Sequence, residues 1–165
     1  MASSSMQAGS EMNNELREKL ISMMDAESKV RQQAFAAGRR YDGYPEALEA
    51  LHIRHAEELF RIVNEYGWPG KSLVEKEGAT AAFILARNAI SKPDLQKQFF
   101  NHLQQAVMAD EATSIQEVCL QDCILFYQGS PQQYGMFFDW EENNELVVNV
   151  ENIAEANERR KKTWA

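Results

Sequence analysis

The chain has 165 residues, 44% of them hydrophobic and 25% charged, which excludes a disordered or fibrous protein and sets the scale at one globular domain. A formal net charge of −8 argues against backbone-directed nucleic-acid binding, which needs clustered Lys and Arg. No apolar run approaches the ~18–20 residues of a membrane span and no signal pattern opens the chain. Together with two cysteines too few for a disulfide framework, these features predict a soluble cytoplasmic protein.

Residues 1–12 are small and polar and read as an expression leader or tail, leaving 13–165 as a single helical domain. The first helix is predicted from Asn14 to Ala37, with Asn13 or Asn14 as its cap, Gly38 as its stop, and a stripe of Leu16, Leu20, Met23, Val30 and Ala34. The second opens at Pro45 and ends before Gly67, with Leu48, Leu51, Leu59, Ile62 and Tyr66 on one face. Gly67-Trp68-Pro69-Gly70 reads as a turn, and an Ala-rich third helix as Ala79–Ile90. A fourth runs from Pro93 to Met108. A fifth starts on a Ser114-x-x-Glu117 capping box, passes Phe126 and stops at Gly129. Tyr134–Trp140 and Glu145–Val150 are strand-like around Glu141–Asn144, and Asn152–Lys162 forms a last charged helix. The expected fold is mainly α: a compact bundle of five to six helices with a small C-terminal β-hairpin.

Function is sought where ionisable residues interrupt these stripes. Helical phase places Glu27 within the first stripe, His55 between Leu51 and Leu59, Arg87 on the side of Phe83 and Ile90, and Asp122 among Val118, Cys119, Leu125 and Phe126. Buried charge is costly without a partner, so such groups should meet, and Arg31 lies one turn after Glu27. In this reading His55, Asp122 and Glu27 are the catalytic candidates, with the imidazole as acid or base. Arg31 and Arg87 clamp negative charge, and Gln133 and Tyr134 reach over the mouth of the pocket. The bland reading gives each residue a structural role: a satisfied core histidine, a surface ion pair and a helix-capping aspartate.

Glu49-x-x-His52 has the spacing of half a di-iron ligand set, but a second such motif is missing, so no metal is expected. His52 with His55 gives only a metal edge, and Cys119 is read as a small core residue. Phosphate-cradling glycine loops and nucleophile elbows do not occur.

The segments His55…Leu59…Ile62…Gly67-Trp68-Pro69-Gly70-Lys71-Ser72-Leu73-Val74, Ala81-Ala82, Gln132-Gln133-Tyr134-Gly135 and Arg159-Arg160 together resemble a bacterial family, domain-of-unknown-function family 6624. The resemblance spans nearly everything after Met12 and brings no activity with it. The family's acid–x3–Arg pattern is met by Glu27 and Arg31. Its Gln-His-Ala is Arg87-Asn88-Ala89 here, its Asp-Arg is Asp122-Cys123, and its Thr-Gln after Gly135 is Met136-Phe137. Losing that histidine implies a changed substrate, or binding without catalysis.

The sequence therefore leads to an internal polar pocket for a small polar or anionic molecule, with cofactor-independent acid–base chemistry of hydrolase, isomerase or cyclase type. A non-catalytic ligand-binding or protein-interaction module is the alternative, and a carboxylate–histidine metalloprotein ranks below it. Neither nucleic acid nor membrane is an expected partner. Monomer and homodimer are equally compatible, with Trp68 and Trp164 as the interface anchors considered.

Overall fold

A computed structural model describes residues 11–36 and 43–164. Most of the leader reading (residues 1–10) and the Gly38 stop therefore lie outside the described residues, while Glu11 and Met12 are exposed and irregular. Six helices follow in chain order: α1 (Asn14–Ala36), α2 (Glu46–Tyr66), α3 (Lys71–Arg87), α4 (Pro93–Met108), α5 (Ser114–Tyr127) and α6 (Ile153–Trp164). Between α5 and α6 lies a two-stranded antiparallel hairpin, β1 (Asp139–Trp140) and β2 (Leu146–Val147), with Asp139 opposite Val147. The predicted class, a helical bundle with a small hairpin, is the observed one. Among the described residues no helix is long and apolar enough to cross a membrane.

Helix α3 is the centre of the bundle. It packs on α1, α2, α4 and α5, and its buried face is built mostly of alanine (Ala79, Ala81, Ala82, Ala86) with Phe83 and Leu85. Small side chains let neighbouring backbones approach, and the larger residues come from outside: Leu16 and Leu20 from α1, Leu59 and Ile62 from α2, Phe99 and Leu103 from α4, Leu120 from α5. Trp68 packs against this core half-buried, whereas Trp164 is exposed.

Several boundaries differ from the sequence reading, among them the second strand, which is Leu146–Val147 where Glu145–Val150 was expected. Helix α3 begins at Lys71, not Ala79, and ends at Arg87, not Ile90. Its first turn is held by Glu111, whose carboxylate accepts from the Ser72 N–H at 2.8 Å and from the Ser72 hydroxyl. A kink at Val74 and Glu75 (φ 58°, ψ 174°) then separates that turn from the main helix. Gly78 is required below the kink, since a Cβ there would stand 2.7 Å from that of Val74.

The capping box of α5 is Thr113 with Gln116, one residue ahead of the Ser114–Glu117 pair; both pairs fit the motif, and the backbone uses the earlier. The predicted strand Tyr134–Trp140 shrinks to its last two residues because side chains take the N–H groups a ladder would need. Asp122 accepts from Gln133, Tyr134 and Met136, and Gln132 accepts from Phe137. Gly135, at φ 67°, turns the chain between them.

Candidate functional site

Among the described residues seven polar or charged ones are buried: Glu27, His52, His55, Asn88, Gln96, Asp122 and Gln132. Apart from His55, they divide into a set consumed by the backbone and a set at or directly behind a cleft.

Asp122 and Gln132 belong to the first set. The Asp122 carboxylate, fully buried, accepts three backbone N–H groups at 2.8–3.2 Å. Gln132 closes the same loop, accepting from the Phe137 N–H and donating to the Phe137 carbonyl, both at 2.8 Å. Arg159 of α6 adds a bond to the Gln133 carbonyl at 3.1 Å. Gln96 does comparable work at the end of α3, its amide donating to the Ala86 and Arg87 carbonyls. Cys123 packs beside it, its thiol donating to the Arg87 carbonyl at 3.5 Å. Burial pushes that thiol up to about 12, so it stays protonated and unreactive.

The second set starts at Glu27. One carboxylate oxygen, Oε1, accepts from Arg31 Nε (2.9 Å) and Nη2 (2.5 Å) and from His52 Nε2 (2.9 Å). The Glu27–Arg31 part is the one-turn pair of α1; the His52 part ties α1 to α2. On the other side of the imidazole, Nδ1 is hydrogen-bonded to the hydroxyl of Tyr44, whose ring meets it edge-on. Tyr44 is set by the extended backbone that enters α2 through Pro45. Burial pushes the Glu27 carboxyl up, but the hydrogen bonds from Arg31 and His52 outweigh it and hold the group below its usual range. For His52 burial wins over the Glu27 hydrogen bond, and the ring is less basic than a free imidazole. Burial, reinforced by the nearby Glu49 carboxylate, raises the Tyr44 phenol to about 12.

This chain of groups opens on a cleft of about 370 Å³. Its polar wall carries Arg31, Tyr44, His52, Arg87, Asn88 and Tyr127; its apolar wall carries Phe35, Leu48, Ile90 and Phe137. Both guanidinium charges act on His52 and on Tyr127, so the two arginines converge on one region. Arg87 lies 5.8 Å from the centre of the Phe83 ring and has no carboxylate partner among the described residues. Among the described residues no carboxylate lines the cleft, and the buried amide nitrogen of Asn88 has no hydrogen-bond partner.

Of the seven residues chosen from sequence, Glu27, Arg31 and Arg87 come together at this cleft, Glu27 behind its wall and the arginines on it. His55 does not reach it. One turn beyond His52 on α2, it is buried, its Nδ1 has no partner among the described residues, and burial makes it less basic. Asp122 is spent on the loop, and Gln133 and Tyr134 give that loop their backbone N–H groups; the loop residue that does line the cleft is Phe137. Sequence reasoning missed His52, Tyr44, Asn88 and Tyr127 as cleft residues. His52 carried a usable signal: Leu48, His52, His55 and Leu59 recur at helical spacing. Instead of pairing with Glu49 as half a di-iron ligand set, His52 turns to Glu27. Among the described residues no three His, Cys, Asp or Glu side chains gather as a metal site.

Residues 14–163 match the model of a family of unknown function (DUF6624). Neither the curated proteins nor the solved structures give a match to this chain.

Proposed function

We propose that this chain, which belongs to the family of unknown function DUF6624, binds a small anionic molecule in the Arg31–Arg87 cleft. The chemistry we assign to it is cofactor-independent acid–base catalysis of hydrolase, isomerase or cyclase type, carried by the Glu27–His52 pair. The observation that carries the proposal is the charge of the wall: two arginines and, among the described residues, no lining carboxylate, in a chain whose net charge is −8. Two guanidinium groups on a concave, half-apolar surface, Arg31 braced by Glu27 and Arg87 with no carboxylate partner among the described residues, favour an anion with an apolar body.

The catalytic half of the proposal follows from the imidazole. Its lowered basicity keeps His52 neutral near pH 7 and ready to accept a proton. Glu27 fixes the ring and stabilises the imidazolium that proton uptake would form. Arg31 has a double role, bracing Glu27 while facing the cleft.

Calorimetric titration with phenylphosphonate, an anion on a flat apolar body, tests the binding. Arg87→Gln should weaken it about tenfold or more, the loss of one charge-assisted contact. Equal affinity in the variant, or no binding by the wild type, would refute the proposal.

A further inference from the structure

The hydrogen-bond chain behind the cleft fixes more than charge. Glu27 is an ionised carboxylate and can only accept, so His52 must carry its proton on Nε2 to make the 2.9 Å bond. In a neutral ring Nδ1 is then an acceptor. The Tyr44 hydroxyl beside it must be the donor, and its one hydrogen is committed to His52. What Tyr44 offers to the cleft it lines is therefore the acceptor side of its oxygen.

We propose that Tyr44 is a specificity-determining residue: it selects an anion that still carries a proton-donating group, such as a phosphate or phosphonate monoester bearing a P–OH, over an anion of the same shape with none. The inference rests on the anion-binding reading above and names the substrate class within it. Arg31 and Arg87 supply only donors, so they serve any oxyanion equally. While His52 is neutral, Tyr44 is an acceptor and is satisfied by a ligand with a hydrogen to give. A fully deprotonated oxyanion would set its lone pairs against those of the phenol oxygen, with no donor between them. Discrimination built on such a mismatch exceeds what shape alone gives, because a buried polar atom is left unpaired by the wrong ligand. The arrangement also sets a route for a proton: the ligand's hydrogen passes to the Tyr44 oxygen as the Tyr44 hydrogen passes to His52 Nδ1. That leaves a more negative ligand beside two arginines and an imidazolium beside Glu27.

Phenylphosphonate and benzenesulfonate test this directly, being matched in shape. At about pH 6 the first carries a P–OH, since such second ionisations lie near ~6 or above, and the second carries none. The wild type should prefer the phosphonate by about fivefold to tenfold, the worth of one buried hydrogen bond. In Tyr44→Phe the preference should fall to about one. Equal binding of the two anions by the wild type, or a preference that survives in Tyr44→Phe, would overturn the Tyr44 assignment while leaving the anion site standing. Binding of neither anion would overturn both. A measurement on the unsubstituted protein stands beside the variant: nitrogen NMR of the labelled histidines should show His52 neutral with its hydrogen on Nε2. A hydrogen on Nδ1 would overturn the proposal whatever the variant does.

Discussion

Two parts of the molecule bury carboxylates in opposite ways. At the α5 loop, Asp122 is fully enclosed and its oxygens accept three backbone N–H groups. At the α1–α2 contact, Glu27 accepts from two side chains, and each of those also lines the cleft. The first arrangement is closed, since every bond ends on the backbone and shapes a loop. The second is open, because it ends on groups with capacity left over. Burial of an acid is therefore not the mark of a site. The mark is what its partners touch next.

The largest expected effect lies on the closed side. Asp122→Ala removes the acceptor for three N–H groups and should cost about 3–5 kcal/mol in urea denaturation, at the upper end for a single substitution. Asp122→Asn, which keeps an acceptor oxygen, should cost clearly less. If Asp122→Ala left stability untouched while abolishing phenylphosphonate binding, the division between the two regions would fail.

Next comes the frame that carries the cleft. Gly78→Ala forces a methyl to within 2.7 Å of Val74 under the α3 kink, and about 1–3 kcal/mol of destabilisation is expected from the overpacking. A melting temperature unchanged by Gly78→Ala would mean that the kink relaxes freely.

A smaller effect separates the two histidines of α2. Burial makes His55 less basic in the fold than in the unfolded chain, so the unfolded chain binds protons first as pH falls. Stability is then complete above about pH 6.5, the ordinary histidine value, and declines as pH drops through the folded-state value. His52 contributes a decline of the same sign. Glu27, held low by Arg31 and His52, adds a further loss only below the usual carboxylate range. His55→Gln should flatten the stability profile between about pH 5 and 6.5 and leave anion binding near wild type, whereas His52→Gln should change both. Denaturant midpoints and phenylphosphonate titrations across that range would check this; a loss of binding in His55→Gln would return His55 to the site.

The same comparison shows how much was legible in the chain. Helices announce themselves by periodicity, so the bundle, the hairpin and the Glu27–Arg31 pair were readable, as was the burial of His55 and Asp122. What those residues touch was not. The partners of Asp122 are N–H groups eleven to fourteen residues away in a loop with no period. Tyr44 lies in the irregular entry to α2 and carries no phase. Asn88 sits just past the end of α3, where the helix stops, and Gln96 on α4 holds that end through backbone carbonyls that no side-chain pattern records. His52 was within reach of the stripe argument, but its spacing from Glu49 suggested half a di-iron ligand set instead.

A crystal structure of the protein with phenylphosphonate bears most directly on the central claim. The account predicts phosphonate oxygens held between the guanidinium groups of Arg31 and Arg87, with one oxygen against the Tyr44 hydroxyl and the phenyl ring toward Phe35 and Phe137. An anion seated elsewhere, with the arginine cleft left to solvent at saturating ligand, would contradict it.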